Sequence, residues 1–290
     1  MKLSEITTTL REIRVSPVRS LGQNFLHDQN LARWIVDQAE IGPEDFVIEV
    51  GPGLGALTEL ALERGANVLA IEKDKRLTDY LRDKFRGCAL EIVHGDALDF
   101  DTRVLYTRPK VKLLGNLPYY ISSQLLVKFL EHPSPISLSL LMLQKELAKR
   151  LDARPSSRDY GALTLTIQLH HHIEYLRAVP ANVFIPKPDV DSALIRTTPR
   201  DPRAFPVCDY NALSELVRRG FSQRRKQLAK LFRENVPNWE EIARELHLNV
   251  RARAEELSLE QWTALTNRIA PIPSDAPNNA SQEQFTVVDD

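Results

Sequence analysis

Asn116-Leu117-Pro118-Tyr119 joins a side-chain amide, a proline-stiffened backbone and an aromatic ring within four residues. The apolar run Val111-Lys112-Leu113-Leu114-Gly115 precedes it and reads as a buried strand. The tetrapeptide therefore falls at a strand's carboxyl end, where an open α/β sheet builds its site. One reaction suits such a loop: alkylation of the exocyclic amine of a nucleobase. That amine is a poor nucleophile because its lone pair is delocalised into the ring, and it improves when acceptors hold its two hydrogens and turn the lone pair out of the plane. The Asn116 side-chain oxygen can accept one of these bonds. Pro118 biases Leu117 toward extended backbone and brings a carbonyl without an N–H, so main-chain oxygen at 117 to 118 can accept the other. Tyr119 then lies against the face of the base, as aromatics do when an enzyme reads an unstacked base. Asn and Pro are also common turn residues, so a plain strand-to-helix turn accounts for the same four letters.

A second group of residues points to a nucleotide-like ligand. Gly51, Gly53 and Gly55 in Glu49-Val50-Gly51-Pro52-Gly53-Leu54-Gly55-Ala56 follow a strand and precede a helical pattern, where glycines let a ligand approach the backbone. With Ala56 in the last place the loop also satisfies the dinucleotide pattern, which keeps a nicotinamide cofactor open. Glu72 ends the second strand, placed to accept from two ribose hydroxyls in either reading. Asp96 follows the third strand in Gly95-Asp96-Ala97-Leu98, where its carboxylate can take an adenine amine, and Asn116 to Tyr119 follow the fourth. A dehydrogenase needs neither of these; a methyltransferase using S-adenosylmethionine needs both. Glu72 and Asp96 could each merely cap a following helix, but their placement on successive strand ends argues against coincidence.

The elements that must position these residues are legible as runs. Phe46–Val50, Asn67–Ile71, Leu90–His94, Val111–Gly115, Ser137–Leu143, Leu163–Leu169 and Ser192–Thr198 read as strands with helical patterns between them, predicting an α/β fold with a mainly parallel, doubly wound sheet and room for antiparallel strands near its end. Asp28 is an N-cap for a helix that places Leu31, Trp34, Ile35 and Ala39 on one face and ends at Gly42-Pro43. After about residue 200 the pattern turns helical. Leu213, Leu216, Val217, Phe221, Leu228, Leu231 and Phe232 form one stripe if 210–233 is a helix. Shorter helices are expected at Trp239–Leu246 and Leu259–Ile269. The expected division is a flexible segment 1–20, a catalytic domain 21–200, a helical domain 201–270 and a disordered tail 271–290.

Composition bounds the function. The 290 residues are 43% hydrophobic, enough for one sizeable core and a smaller second domain. No apolar run approaches the roughly 20 residues of a membrane span, and Met1 to Ser20 has no secretory apolar core, so the cytoplasm is expected. The two cysteines, Cys88 and Cys208, are too few for a disulfide framework and read as reduced thiols. His170-His171-His172 has no carboxylate or cysteine at ligand spacing, and no metal is expected there. With a formal net charge of −1, a nucleic-acid partner needs a local basic patch. Arg218, Arg219, Arg224, Arg225, Lys226, Lys230 and Arg233 supply one with no acid among them, unless the run is simply a solvated helix face. Arg224 alone falls on the apolar stripe, so either the helix breaks near Gly220 or Arg224 points at something specific.

Taken together, the chain resembles the ribosomal RNA adenine dimethyltransferases from about Gly22 to Phe232. The matching residues are Gly22-Gln23-Asn24-Phe25-Leu26, the glycine loop, Glu72, Gly95-Asp96-Ala97, Asn116 to Tyr119, Met142-Leu143-Gln144-Lys145-Glu146, Tyr160-Gly161 with Leu163-Thr164, Phe184-Ile185-Pro186-Lys187-Pro188 with Val190 and Ser192, and Phe221 with Arg224-Arg225-Lys226. The resemblance implies a Rossmann-like methyltransferase fold with a small α-helical C-terminal domain that binds RNA. It also implies S-adenosylmethionine as cofactor, with Asn24 and Leu26 at its methionine end, Gly51 and Gly53 at the glycine loop, Glu72 on the ribose, Asp96 on the adenine and Asn116 beside the methyl. Asn116 with the main chain at 117 to 118 would orient the target amine, Tyr119 would cover one face of the base and Phe184 the other. Phe184 also has a core reading beside Val183 and Ile185. Where the family commonly has Asn, this chain has Tyr120, which leaves the acceptors intact and alters pocket shape.

The implied reaction is in-line displacement at the sulfonium methyl by an amine of two adjacent adenosines near the 3′ end of small-subunit RNA, with the immature small subunit as partner and a monomer as the default state. Three rivals stay open: a large-subunit RNA methyltransferase of the antibiotic-resistance type; a DNA adenine methyltransferase, which would usually carry a second proline where this chain has Leu117; and an assembly checkpoint in which binding outweighs catalysis.

Overall fold

In the computed structural model, described over residues 1–18, 22–108, 110–131, 133–233 and 236–270, the chain forms two compact units. One comprises Met1–Lys149 with His171–Pro199, the other Arg150–His170 with the chain from Arg200 on. The elements run α1 (Leu3–Glu12), β1 (Phe25–Leu26), α2 (Gln29–Gln38), β2 (Phe46–Val50), α3 (Ala56–Glu63), β3 (Asn67–Glu72), α4 (Lys75–Lys84), β4 (Leu90–His94), β5 (Val111–Asn116), α5 (Ser122–Leu130) and β6 (Ile136–Gln144). They continue with α6 (Lys145–Leu151), α7 (Ala162–His170), β7 (His171–Val179), β8 (Phe184–Ile185), β9 (Ser192–Pro199), α8 (Tyr210–Phe221), α9 (Leu228–Leu231), α10 (Trp239–Glu245) and α11 (Leu259–Ile269).

The apolar runs of the first unit become a seven-stranded sheet in the order β4-β3-β2-β5-β6-β9-β7. Strands β2 to β6 pair in parallel, while β9 runs antiparallel to both β6 and β7. All five residues of β2 are buried, as a central strand covered on both faces requires. Lys112 is tolerated near the start of buried β5 because its ammonium meets Asp45 at 2.8 Å. The connections run outward from β2 through β3 to β4 and then return to β5 on the other side of β2. The sheet therefore has its topological switch point between β2 and β5, and ligands of doubly wound folds bind outside the carboxyl ends there. The register aligns those ends, pairing Val50 with both Ile71 and Gly115, and Glu72 with His94.

Helix α2 begins where Asp28 accepts hydrogen bonds from the amides of Asn30 and Leu31. It buries Leu31, Ala32, Ile35 and Val36 in a core shared with Val47, Val68, Leu114, Leu140 and Leu194. Full burial of each such large aliphatic side chain contributes roughly 1.5–3 kcal/mol.

Three expectations are corrected. Within the expected flexible segment 1–20, α1 buries Ile6 and Leu10, which pack with Val15, Phe25, Leu54 and Leu77. Leu163–Leu169 is not a strand: it lies in α7, in the second unit, where Leu165 and Leu169 join Val217, Phe232 and Trp262 in a helical core. The boundary at residue 200 is thereby incomplete, since Arg150–His170 belongs with the later helices. The break near Gly220, one of the two alternatives drawn for 210–233, is present: α8 ends at Phe221 and α9 starts at Leu228. Gly220 at that break faces Trp262, whose ring would lie 2.6 Å from an added Cβ. Residues 271–290, the expected tail, lie outside the described residues. Among the described residues no helix is long and apolar enough to cross a membrane.

Candidate active site

Beyond the carboxyl end of β2 the chain turns at Gly51, Gly53 and Gly55 with φ of +69°, +59° and +80°, the left-handed region that a side chain would strain. The turn is fixed to β3: the Gly51 amide donates to the Ile71 carbonyl at 3.0 Å, and the Gly53 amide to Glu72 Oε2 at 3.2 Å. The other oxygen of Glu72 accepts from the Asp74 amide at 2.8 Å. Glu72 is 6% exposed, and burial pushes its carboxyl up to about 7 against the pull of the amides of Asp74 and Gly53. Buried Glu49 of β2 is raised to about 7 as well, mainly by burial, although Thr58 donates to it at 2.6 Å.

At the next strand end, Asp96 Oδ1 accepts from the Leu98 amide at 2.9 Å and Oδ2 meets the Lys73 ammonium at 2.6 Å. Burial pushes Asp96 up, but the bond from Lys73, the Leu98 amide and the Lys73 charge outweigh it and hold the carboxyl below its usual range.

Strand β5 delivers Asn116. Its Nδ2 donates to the Asn24 carbonyl at 2.9 Å, which commits the nitrogen and leaves Oδ1 as the acceptor that the side chain can offer. The Leu117 amide donates to the Met142 carbonyl at 3.1 Å. The Pro118 carbonyl accepts from the Ile121 amide at 3.2 Å and from Ser122 Oγ at 2.8 Å. These two bonds occupy both of its lone pairs, so the acceptor sought at 117 to 118 narrows to the Leu117 carbonyl. Gly22 lies against this loop with φ +63°, and a Cβ there would stand 2.9 Å from Pro118 Cβ.

Gly51, Gly53, Glu72, Asp96, Asn116 and Asn24 line one cleft of about 650 Å³, part of it open to solvent. Two carboxylates on successive strand ends, a glycine turn without Cβ atoms and a side-chain amide fit a nucleoside ligand with an extended polar arm. The lining also includes Gln23, Lys73, Ala97 and Tyr120, which the sequence reading did not select as site residues. Gln23 stands beside Asn24 and Lys73 beside Glu72, so adjacency was the available signal.

Three predicted site residues sit differently. Phe184 is 3% exposed, pairs with Leu26 in the short β1–β8 ladder and packs in the main core, the surroundings its core reading describes. Leu26 likewise turns its side chain into that core and does not line the cleft. Tyr119 is half-buried, with its hydroxyl 2.6 Å from Ser192 Oγ; at the cleft lip it is Tyr120, half exposed, that appears in the lining. Of the histidine run, His171 Nε2 lies 2.8 Å from the Leu130 carbonyl.

In the second unit the basic residues divide. Arg218, Arg225, Lys226, Lys230 and Arg233 are exposed, and Arg219 is half-buried. Arg224 instead ties its own unit together: its guanidinium meets Glu255 at 3.0 Å and donates to the carbonyls of Arg158 and Tyr160 at 2.8 and 3.2 Å. Both alternatives drawn from its place on the stripe hold, since the helix breaks and Arg224 has a specific target.

The strand order, the switch-point cleft and its acidic strand ends define a class, the Rossmann-like methyltransferases. Comparison narrows it. The family model for ribosomal RNA adenine dimethylase matches residues 17–271. Ribosomal RNA small subunit methyltransferase A of Halothermothrix orenii is 40% identical over 276 residues, 90% of each chain, and that of Bacillus licheniformis is 38% identical over 88% of this chain and 91% of its own. Among solved structures, a dimethyladenosine transferase from Plasmodium falciparum superposes with a TM-score of 0.72 at 26% identity, covering 83% of this chain and 95% of that one. The 23S rRNA methyltransferase ErmE gives 0.65 at 29% identity, with 85% and 99% covered. The chain belongs to the ribosomal RNA adenine dimethylase family.

Proposed function

We propose that this chain uses S-adenosylmethionine to dimethylate the exocyclic amines of two adjacent adenosines near the 3′ end of small-subunit (16S) ribosomal RNA, working as a cytoplasmic monomer on the immature subunit. Family membership and the names of the relatives support the reaction and the RNA. The single observation that carries the mechanism is the pinned amide of Asn116 at the end of β5, whose Nδ2 is held by the Asn24 carbonyl so that Oδ1 is the acceptor left to it, one residue before Leu117.

The cofactor supplies an electrophilic methyl group on a positively charged sulfur. The chain's residues bind and aim. Gly51 and Gly53 admit the ligand to the backbone, Glu72 takes the ribose hydroxyls, Asp96 takes the adenine amine, and Asn24 with Asn116 borders the methionine end. Asn116 Oδ1 and the Leu117 carbonyl accept the two hydrogens of the target amine and strengthen as positive charge develops on it. Positioning supplies the rest of the acceleration. No side chain is needed as a strong base, because the amine becomes acidic only once alkylated and then loses its proton to water. Tyr119 offers a ring to the base, while Phe184 supports the loop from the core. Tyr120 at the cleft lip shapes the space available once the first methyl is in place. Arg218, Arg219, Arg225, Lys226 and Lys230 contact RNA phosphates.

The test incubates the protein with labelled S-adenosylmethionine and either unmethylated small subunits or large-subunit RNA, then maps the label. Dimethyladenosine at two neighbouring positions near the small-subunit 3′ end is expected. Label confined to large-subunit RNA would move the chain to the substrate named for ErmE, and no transfer to either would remove the enzymatic reading.

A further inference from the structure

The two carboxylates of the cleft stand on neighbouring strands, and the spacing between them decides whether ribose and adenine are held together. The β3–β4 ladder ends with Glu72 paired to His94, and the Gly95 amide still donates to the Glu72 carbonyl at 3.0 Å. Beyond that point no further backbone rung is formed among the described residues. The next link is made by side chains, Lys73 Nζ to Asp96 Oδ2 at 2.6 Å. Both residues line the cleft, the lysine side chain 48% exposed and the aspartate 21%. On its other oxygen Asp96 accepts from the amide of Leu98, two residues along its own loop. That bond shapes the turn and does not tie the carboxylate to β3.

We propose that Lys73 is a positioning residue for the cofactor's adenine, a clasp that continues the strand ladder through side chains and holds Asp96 turned into the cleft at a fixed distance from Glu72. A carboxylate oxygen has two lone pairs, so Oδ2 can keep the ammonium and still accept the exocyclic amine. The carboxylate is ionised, which makes that second bond charge-assisted. The inference rests on the assignment of Asp96 to the adenine amine. It adds that a lysine outside direct contact with the reacting atoms sets affinity for the adenosine half, common to the cofactor and to its demethylated product.

Calorimetric titration separates the two claims. The probes are S-adenosylhomocysteine and its analogue with hydrogen in place of the exocyclic amine. The wild-type protein is expected to prefer the first. Lys73→Met, which keeps the aliphatic stem, should weaken S-adenosylhomocysteine binding by about fivefold, the size of one ordinary hydrogen bond, and the analogue by less than about twofold. Lys73→Arg should restore most of the loss. A Lys73→Met protein that binds S-adenosylhomocysteine as wild type does, or that loses the same factor for both ligands, overturns the clasp. A wild-type protein that fails to distinguish the ligands overturns the assignment of Asp96, and the clasp falls with it.

Discussion

Replacing Gly22 by alanine adds one methyl group at a point where the chain has no room for it. The residue has φ +63°, and its Cβ would lie 2.9 Å from Pro118 Cβ and 3.0 Å from Pro118 Cα. Two effects follow. Holding an alanine in the left-handed region costs about 1–2 kcal/mol of stability. Relieving the contact to an ordinary carbon separation of about 3.5–4.0 Å displaces Pro118 by roughly half an ångström or more. Pro118 cannot move alone, because its carbonyl is bonded to the Ile121 amide and Ser122 Oγ, and Leu117 and Asn116 come directly before it. A misplacement of about 1 Å at the reacting groups costs about 100-fold in rate, and a shift of about half that still costs tenfold or more. Gly87→Ala is the matched control: φ is +85° and nothing lies within 4 Å of its Cβ, so it carries the same conformational cost with no contact. Thermal unfolding, titration with S-adenosylhomocysteine and single-turnover methyl transfer at saturating cofactor separate the two effects: both variants should lose the conformational cost of about 1–2 kcal/mol, and Gly22→Ala somewhat more because of the contact with Pro118. Only Gly22→Ala should lose transfer, by about 10- to 100-fold, with cofactor-product affinity changed less than about threefold. Equal transfer rates in the two variants would refute the argument that Gly22 sets the place of the catalytic loop.

Burial pushes Glu72 up to about 7, and the ribose bonds proposed for it require its ionised form, so S-adenosylhomocysteine affinity should rise between pH 6 and 8 and Glu72→Gln should flatten the profile; affinity falling over that range would contradict the assignment. For folding the sign is opposite. Glu49 and Glu72 are raised above their ordinary 4.5, so the stability they contribute is full below that value and lost as pH rises through about 7, and the ligand-free melting temperature should fall from pH 5 to pH 8. Arg225→Glu with Lys226→Glu should weaken RNA association and flatten its salt dependence while leaving cofactor binding unchanged. Arg224→Ala, by contrast, should lower the melting temperature by the equivalent of about 1–3 kcal/mol, and an unchanged melting curve would show that its three partners are dispensable. Tyr119→Phe should keep base capture and lose only the Ser192 bond, whereas Tyr119→Ala should raise the KM for RNA; equal KM values would remove the stacking role.

The central strands were readable because a strand covered on both faces has one sequence solution, an unbroken apolar run such as Phe46–Val50. The glycine turn, Glu72, Asp96 and Asn116 followed from strand ends alone, since a parallel sheet brings all its carboxyl ends to one edge. What failed needed partners distant in sequence. Leu163, Leu165, Ile167 and Leu169 alternate like a strand, and the contacts that make them helical come from helices beyond residue 200. Strand β7 was missed because, at the sheet's edge and paired only with β9, its exposure does not alternate cleanly. Helix α1 was hidden by Thr7, Thr8 and Thr9, poor helix formers, although Ile6 and Leu10 one turn apart gave its buried face. The motif around Phe184 marked a loop at the site without revealing that the ring points into the core, and Lys73 could not be matched to Asp96 without the β3–β4 register.

The most direct measurement compares Asn116→Ala with wild type in single-turnover methylation of unmethylated small subunits, alongside S-adenosylhomocysteine affinity. Loss of one acceptor that acts on developing charge should slow transfer by about 100- to 1,000-fold, with ligand affinity changed less than about threefold. A rate close to wild type, or a rate and an affinity that fall by the same factor, would contradict the role of Asn116 in holding the target amine.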